Sequence, residues 1–477
     1  MNSALRKVAV ATIVMFGALL VNTNVVQVGE ASSLKNNGHN VRVLYSEYSH
    51  QRGPIVVQGR AVAQSVKTND TLKYLRTYPG GPLYAHTTGF YSLVYGATGI
   101  EKAENSILSG DSDQFFVRRL SDYFTGRTPQ GGAVVLTLDP HAQRVAFDAL
   151  NGHRGAVVAL NPRTGGIYAM VSQPSYDPSP LTTHNTRAIQ RAYRQLLRQP
   201  GDPLLNRAIQ QTYPPGSTFK VVTTAAALSS GRFTPDSPLP APNQLTLPQT
   251  THKLQNFQGE TCAGGGQISL ADALRVSCNT AFGALGLKLG GDEIRKQAEA
   301  FGFGKSLSIP LDVARSRFPQ TIPAPEVAFS AIGQYSDAVS PLQMAMVAAG
   351  VANDGVVMKP YLVAKTLAPD LTTLSVTSPQ EFGRAVSPSV AAELRAMMTT
   401  VVQSGTGTAA QIPGVTVAGK TGTAENVPGQ PTHAWFICFA PAENPRVAVA
   451  VLVENGGIGG VAAAPIAKQV MEAVLSR

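Results

Sequence analysis

The chain has 477 residues, of which 43% are hydrophobic and 14% charged, and its formal net charge is +10. This composition excludes a disordered chain, and the length exceeds that of one ordinary domain, so we expect two folded domains. The positive charge would suit an anionic partner. No cluster of lysine and arginine with interleaved aromatic residues stands out, however, which argues against nucleic acid.

The N-terminal segment has the pattern of a membrane anchor. Arg6 and Lys7 precede an apolar run over residues 8–28, which is interrupted by Thr12 and by residues 22–24. Positive charge before an apolar segment of this length predicts a cytoplasmic tail at residues 1–7 and a single transmembrane signal-anchor at residues 8–28. The rest of the chain would then lie outside the plasma membrane. A cleaved signal peptide is the alternative.

Residues 29–132 have the composition of a small β-rich domain. Short runs of β-branched and aromatic residues, such as 55–57 and 90–95, alternate with polar residues and glycine. Residues 126–132 contain glycine, proline and glutamine and are the predicted linker to the next domain. We interpret the segment as a pedestal that holds the larger domain away from the membrane, with partner docking as the alternative.

Residues 133–477 alternate between strand and helix patterns and form the predicted larger domain. Strands are expected at residues 133–138, 155–160, 167–171, 415–423, 433–439 and 446–454. Helices are expected at residues 140–150, 217–228, 268–276, 281–289, 292–301, 341–352, 388–402 and 465–477. The predicted fold class is α/β, of the α+β type, with an antiparallel sheet flanked by helices and residues 420–423 on its edge.

A break in regular structure at residues 214–216, Pro-Pro-Gly, comes directly before Ser217. The apolar run after Lys220 predicts a buried helix that starts near Ser217, with Ser217 and Lys220 one turn apart on one face. A partly desolvated lysine loses its proton more easily and can take the hydroxyl proton of a serine, which turns the serine into a nucleophile. The S-x-x-K spacing alone is weak evidence, because chance supplies roughly a couple of matches in such a chain.

Two further motifs strengthen this interpretation. Residues 277–279 read Ser-Cys-Asn and residues 420–423 read Lys-Thr-Gly-Thr, and neither S-x-N nor K-T-G occurs elsewhere in the chain. The three motifs in this order form a recognised signature. With these motifs, and with supporting matches at residues 52–55, 155–162 and 206–207, the chain resembles class B penicillin-binding proteins, in particular those of actinobacteria.

The resemblance implies a penicillin-binding transpeptidase domain with a fold like that of β-lactamases. It also implies a peptidoglycan D,D-transpeptidase activity without a cofactor. The implied substrate is the D-alanyl-D-alanine end of a stem peptide, and β-lactams are the implied inhibitors. Proteins of cell-wall synthesis or of the divisome are the implied partners. Because metal-ligand spacing is absent from the sequence, no metal site is expected.

The expected catalytic residues belong to all three motifs. Ser217 is the expected nucleophile and Lys220 its base. By resemblance, Ser277 relays a proton to the leaving amine, and Asn279 orients Lys220 and binds the substrate amide. Lys420 supplies a positive charge next to the substrate.

The expected binding residues lie on the strand that contains the third motif. Thr421 and Thr423 can bind a terminal carboxylate, and Gly422 lets the substrate approach the strand closely. By resemblance, the backbone N–H groups of Ser217 and Thr423 form the oxyanion hole. An edge strand also offers free backbone groups to which an extended peptide can pair.

Other activities use the same motifs. A β-lactamase needs a base that hydrolyses the acyl-enzyme, and no E-x-x-L-N pattern occurs between residues 279 and 420, which argues against that activity. A D,D-carboxypeptidase and a non-catalytic penicillin-binding sensor or scaffold remain alternatives. A sensor would be expected to carry a long cytoplasmic portion, whereas only about seven residues precede the apolar run.

The chain has three cysteines, Cys262, Cys278 and Cys438. Export would place them in an oxidising compartment, and we hypothesise a disulfide between Cys262 and Cys278 that pins the S-x-N segment. Closing a loop of this size contributes roughly 3 kcal/mol in the chain-entropy model. Two buried thiols are the alternative. Cys438 is interpreted as a residue of a core strand.

Overall fold

The structure is a computed structural model that describes residues 2–30, 48–115, 124–126, 130–427 and 429–476. Its N-terminal helix, Asn2–Asn24, continues as a π-helical turn over Val25–Gly29. The stretch Ser3–Gln27 is long and apolar enough to cross a membrane, with a mean hydropathy of 2.0, and it is exposed in the structure. The predicted anchor therefore lies within one continuous helix.

The described α-helices are α1 (Asn2–Asn24), α2 (Ala85–Thr88), α3 (Gly99–Ala103), α4 (Asn105–Ser109), α5 (Pro140–Leu150), α6 (Thr186–Arg198), α7 (Lys220–Ser229), α8 (Leu270–Arg275), α9 (Asn279–Leu289), α10 (Gly291–Ala300), α11 (Glu326–Ser330), α12 (Pro341–Ala352), α13 (Pro388–Ser404), α14 (Gly459–Ala462) and α15 (Ala464–Leu475). The strands are β1 (Ile55–Val57), β2 (Arg60–Lys67), β3 (Tyr74–Thr77), β4 (Tyr91–Ser92), β5 (Gly96–Ala97), β6 (Ala133–Leu136), β7 (Gly155–Leu160), β8 (Ile167–Gln173), β9 (Pro238–Pro240), β10 (Gln244–Thr246), β11 (Lys253–Gln255), β12 (Gln267–Ser269), β13 (Val356–Met358), β14 (Val363–Leu367), β15 (Thr373–Val376), β16 (Glu381–Arg384), β17 (Ala418–Ala424), β18 (His433–Ala440) and β19 (Val447–Val453).

A five-stranded antiparallel sheet, in the order β17-β18-β19-β7-β8, is the centre of the larger domain. Strands β18 and β19 are buried along their whole length, because helices cover both faces of the sheet. Helices α5 and α15 pack on one face and helix α12 packs on the other. The predicted antiparallel sheet flanked by helices is therefore confirmed, and strand β17, which contains residues 420–423, is its edge.

A second, mixed sheet has the order β15-β14-β6-β1-β2-β3. Strand β6 runs parallel to β1 and antiparallel to β14, which comes from much later in the chain. The predicted domain boundary between residues 132 and 133 therefore falls inside this sheet. Residues 127–129 of the predicted linker lie outside the described residues, whereas Gln130 bridges Gln51 and the Gly131 amide donates to the Gln51 carbonyl.

A buried ionic cluster holds the N-terminal segment together. Arg52 Nε and Arg76 Nε each lie 2.6 Å from a carboxylate oxygen of Glu101, and the Tyr78 hydroxyl donates to the same carboxylate at 3.1 Å. Burial alone would raise the pKa of Glu101, but the two guanidinium charges outweigh burial and hold this pKa below its ordinary value. All three charged side chains are almost completely excluded from solvent.

Hydrogen bonds also join the N-terminal segment to the larger domain. The Gln143 side-chain amide donates to the Leu83 carbonyl at 2.9 Å, and the Asn206 side-chain amide donates to the His86 carbonyl at 3.1 Å. Gln143 lies on helix α5, which packs on the central sheet. The two parts of the chain are thus fixed to each other beside the sheet.

Candidate active site

The turn that precedes helix α7 positions Ser217. Residues Gly216–Phe219 form a 3-10 turn, so the α-helix begins at Lys220 and not at Ser217, as the sequence had suggested. The reason is the backbone of Gly216, which has a φ of 52° and donates its N–H to the Gly333 carbonyl at 2.9 Å. A Cβ atom on Gly216 would lie 2.8 Å from the Thr423 carbonyl oxygen, so only glycine lets this turn approach strand β17.

Lys220 is fully buried directly behind the turn. Its Nζ donates to the Ser277 carbonyl at 2.7 Å, to Ser277 Oγ at 3.2 Å and to Asn279 Oδ1 at 2.7 Å. Burial, and then the charge of Lys420, lower the pKa of Lys220 well below its ordinary value. The described structure contains no hydrogen bond between Lys220 Nζ and Ser217 Oγ, since the donors of Nζ are directed to the S-x-N motif.

The S-x-N motif lies at the junction of helices α8 and α9. Ser277 has a φ of 61°, which is unusual for a residue with a side chain, and Cys278 precedes the first turn of α9. The Thr280 N–H donates to Asn256 Oδ1 at 3.0 Å, so this junction is fixed to the neighbouring loop. Residues held in this backbone region cost of order 1–3 kcal/mol and concentrate at functional sites.

The loop beside the motif is attached covalently. Cys262 and Cys278 form a disulfide in the structure, with Cα atoms 6.1 Å apart, while Cys438 is a buried free thiol on strand β18. Strand β11 lies in the same loop, and its residue Gln255 accepts a hydrogen bond from the Asn279 side-chain amide at 3.3 Å. The disulfide thus joins a wall of the cleft to the motif that contacts Lys220.

Lys420 approaches the same serine from the edge strand. It is fully buried, and its Nζ donates to Ser277 Oγ at 2.9 Å and to the Thr421 carbonyl at 3.0 Å. Burial lowers the pKa of Lys420 to about 7. Ser277 Oγ therefore lies between two buried amines that both hold their protons weakly.

A cleft of about 1100 Å³ opens above these lysines. Ser217, Ser277, Asn279, Thr421 and Thr423 all line it, so the structure brings the three motifs together around one space. Gly422 is buried in strand β17 between the two threonines. The Thr421 hydroxyl is hydrogen-bonded to the Thr406 hydroxyl at 2.6 Å.

An apolar part of the cleft lining was not predicted from the sequence. It consists of aromatic and aliphatic residues from segments that are distant in the chain, namely Phe257, Phe329, Ile332, Tyr335 and Ile458. These residues lack a local motif, and only their convergence in the fold identifies them. A cleft that combines these apolar residues with a polar edge strand suits an extended ligand with apolar side chains.

A buried carboxylate supports the turn from the side of the sheet. Glu454, which follows strand β19, accepts hydrogen bonds from Arg207 Nε and from the Tyr213 hydroxyl, both at 2.7 Å. The Trp435 indole N–H donates to the Pro214 carbonyl at 3.0 Å. The chain before Ser217 is therefore tied to the central sheet, and no motif in the sequence pointed to Glu454.

Comparison with known proteins assigns the family. The family model described as the penicillin binding protein transpeptidase domain matches residues 155–472, which include all three motifs. The chain belongs to this penicillin-binding protein family. A second model, described as the penicillin binding protein A dimerisation domain, matches residues 52–134 of this penicillin-binding protein.

Relatives of this penicillin-binding protein match along its whole length. Peptidoglycan D,D-transpeptidase PbpA of Mycolicibacterium smegmatis is 49% identical over 100% of this chain and 99% of the relative. The protein of the same name from Mycobacterium tuberculosis H37Rv is 45% identical with the same coverage. The family inferred from the motifs is therefore confirmed.

Solved structures of penicillin-binding proteins support the same family assignment. The ceftriaxone acyl-enzyme complex of penicillin-binding protein A from M. tuberculosis matches this penicillin-binding protein with a TM-score of 0.88 at 45% identity. The match covers 90% of this chain and 100% of that one. The penicillin-binding transpeptidase fold inferred from the sequence is therefore confirmed as well.

Proposed function

We propose that this penicillin-binding protein is a peptidoglycan D,D-transpeptidase that works through an acyl-enzyme on Ser217. The observation that carries the proposal is the position of Lys220. Its buried amine contacts Ser277 and Asn279 at the base of a cleft that Ser217 and the edge strand line. A nucleophile, a low-pKa amine, a relay hydroxyl and a strand edge in one cleft are the parts that acyl transfer requires.

In the first step, the neutral amine of Lys220 takes the hydroxyl proton of Ser217 while Ser217 Oγ attacks the carbonyl carbon of the penultimate D-alanine. The backbone N–H groups of Ser217 and Thr423 stabilise the oxyanion. The C–N bond to the last D-alanine then breaks, and its nitrogen receives a proton through Ser277. This relay follows the contacts of Ser277 Oγ with both lysine amines.

The substrate is held along strand β17. Its backbone pairs with the free edge of the strand, and Gly422 leaves room for the close approach. Thr421 and Thr423 bind the terminal carboxylate, which Lys420 attracts from behind the strand. Asn279 binds the amide of the donor peptide. In the second step, an amine of a neighbouring stem attacks the acyl-enzyme and forms the cross-link.

β-Lactams acylate Ser217 in this proposal because their ring amide occupies the place of the scissile peptide bond. The M. tuberculosis relatives solved as ceftriaxone and imipenem acyl-enzyme complexes support this expectation. No cofactor or metal takes part in the proposed reaction.

The cellular setting completes the proposal. Helix α1 anchors the chain in the plasma membrane as a single span, with residues 1–7 in the cytoplasm and the catalytic domain outside. Residues 29–132 form the pedestal, on which proteins of cell-wall synthesis or of the divisome dock. The apolar helix at Ser3–Gln27 and the charge of Arg6 and Lys7 before its apolar part support this topology.

Mass spectrometry of the full-length protein in detergent tests the acyl-enzyme. Incubation with a β-lactam should add the mass of the drug on Ser217, and the adduct should persist for hours. The Ser217→Ala variant should gain no mass, whereas Ser230→Ala, a serine outside the cleft, should react like the wild type. Failure of the wild type to form an adduct would refute the proposed nucleophile.

The transfer step needs a second assay. Wild-type protein incubated with a D-alanyl-D-alanine stem peptide and an added amine should yield the amide product and free D-alanine. Release of D-alanine without the amide product would mean hydrolysis and would assign a carboxypeptidase activity instead.

A further inference from the structure

Helix α6 (Thr186–Arg198) carries all of its charge on one face. Its arginines follow the spacing i, i+4, i+7, i+11, which places them within one narrow stripe of an α-helix: Arg187, Arg191, Arg194 and Arg198. At 1.5 Å per residue the stripe is about 16 Å long. The opposite face packs on the hydrophobic core through Ile189, Ala192, Tyr193 and Leu196. The helix is thus fixed on the protein with its arginines turned outward.

Among the described residues, the four arginines have no acidic partner. They are exposed, helix α6 contains no aspartate or glutamate, and none of the four forms an ion pair within the described ranges. Like charges at this spacing destabilise a helix. The four arginines therefore lower the stability of α6, and folding does not account for their presence. This cluster was not predicted from the sequence, because its members become neighbours only when the segment is helical.

An exposed leucine lies beside the stripe. The Leu197 side chain is 61% exposed and lies between Arg194 and Arg198 in the helix. On the core-facing side, Tyr193 stacks with Tyr95 of the N-terminal segment at 3.9 Å between ring centroids. A basic helix face with a neighbouring exposed leucine is typical of helices that lie at a membrane surface.

The start of helix α6 lies close to Tyr48, where the described part of the chain resumes after helix α1. Tyr48, the first described residue after the segment 31–47, contacts the ring of His184 with centroids 6.1 Å apart. His184 lies two positions before the first residue of α6, and it is hydrogen-bonded to the Tyr74 carbonyl and to Asp70. A segment of that length spans at most about 60 Å, which limits the distance between the start of α6 and the anchor.

We propose that helix α6 lies at the membrane-facing end of the larger domain, beside the pedestal of residues 29–132, where its arginine face binds anionic phospholipid headgroups on the outer surface of the membrane and thereby fixes the orientation of the catalytic cleft. The proposal rests on the membrane anchoring proposed above. Four guanidinium groups that form no ion pair with any residue the structure describes match the phosphates of lipid headgroups in charge and in hydrogen-bond geometry. The tether raises their effective concentration at that surface, which favours lipid over a soluble acidic protein.

A tryptophan at position 197 reports on the environment of the helix. The native chain has a single tryptophan, Trp435, which is completely buried. The full-length Leu197→Trp protein would be reconstituted into nanodiscs of phosphatidylcholine alone or with phosphatidylglycerol. In anionic discs the emission should shift to shorter wavelength, and acrylamide quenching should fall roughly threefold or more. Salt at about 0.5 M should reverse both changes, because it screens the arginines.

Charge variants distinguish binding by the arginines of α6 from a general effect of the positive net charge of the protein. Replacing the four arginines of α6 by glutamine in the Leu197→Trp background should abolish the lipid dependence, whereas replacing them by lysine should retain it. Glutamine is a good helix former, so helix α6 should persist. The matched control replaces four exposed arginines of other segments, which lowers the net charge equally and should change nothing: Arg60, Arg163, Arg232 and Arg315.

The outcomes are distinct. Equal quenching in both lipids, while the protein still co-elutes with the discs, would overturn the role of helix α6 and leave an acidic protein as its partner. Equal loss of lipid dependence in the scattered control would also overturn it. If the protein does not co-elute with discs, the proposed anchoring fails and this inference fails with it. The acylation assay of Ser217 is independent of all three results.

Discussion

Replacing Asn279 by aspartate would test whether Lys220 is the catalytic base. Asn279 Oδ1 accepts a hydrogen bond from Lys220 Nζ at 2.7 Å, and the neutral amide leaves the low pKa of this lysine in place. A carboxylate at the same position would stabilise the charged ammonium and raise the pKa of Lys220. A protonated amine cannot take the proton of Ser217, so acylation should slow.

The size of the effect follows from the geometry. Two unit charges 4 Å apart interact by about 4 kcal/mol at an effective dielectric constant near 20. Because Asn279 lines the open cleft, we halve this to about 2 kcal/mol, which corresponds to about 1.5 pKa units. The neutral fraction of Lys220, and with it the acylation rate, should fall by about 30-fold at any pH below the native pKa.

The assay is the rate of acylation by a chromogenic β-lactam as a function of pH. Since the neutral lysine is the active form, the rate should rise with pH in both proteins, with a midpoint about 1.5 units higher in Asn279→Asp. At a pH above both midpoints the two rates should converge. Asn279→Leu, which removes the acceptor without adding charge, should not move the midpoint upward. An unchanged midpoint in Asn279→Asp would refute Lys220 as the base.

Further predictions concern stability and the packing of the site. Glu101→Gln should lower the free energy of urea unfolding by about 3 kcal/mol, while Asp148→Asn, in an exposed pair, should change it by less than about 0.5 kcal/mol. The Glu101→Gln loss should shrink as the pH falls below 4.5, because the depressed pKa of Glu101 contributes stability only while the carboxyl is ionised. Gly216→Ala should slow acylation roughly 100-fold through its collision with strand β17, whereas Gly231→Ala, equally left-handed but in open space, should not. Thiol labelling of the unfolded, unreduced chain should modify Cys438 alone, and three labelled cysteines would exclude the disulfide.

Local signals predicted much of the fold. Asp139 followed by proline predicted a helix start, and Asp139 Oδ1 accepts the Ala142 N–H at 2.6 Å at the beginning of α5. Consecutive apolar runs separated by turns predicted the antiparallel strands β17–β19 and placed the third motif on the sheet edge. Such features depend on neighbours within a few residues, which a sequence displays directly.

Features that depend on distant contacts were not predicted. The left-handed Gly216 and the turn at Ser217 depend on the Gly333 carbonyl, which is far away in the chain. The resemblance implied that Asn279 orients Lys220, but the hydrogen bonds from Lys220 to the carbonyl and hydroxyl of Ser277 were not predicted, because they form only when the distant motifs pack together. Glu454 was missed for the same reason, because its partners, Arg154 and the pair Arg207 and Tyr213, come from two distant segments.

The mixed sheet constrains the order in which the chain can assemble. A ribosome completes strands β1, β2, β3 and β6 long before β14 and β15, so the outer edge of Ala133–Leu136 has no pairing strand until residues 363–376 have been made. This edge belongs to an almost fully buried, apolar strand. A chain truncated before residue 363 would therefore expose a strand edge open to pairing with other chains, and it should aggregate instead of forming a smaller stable protein.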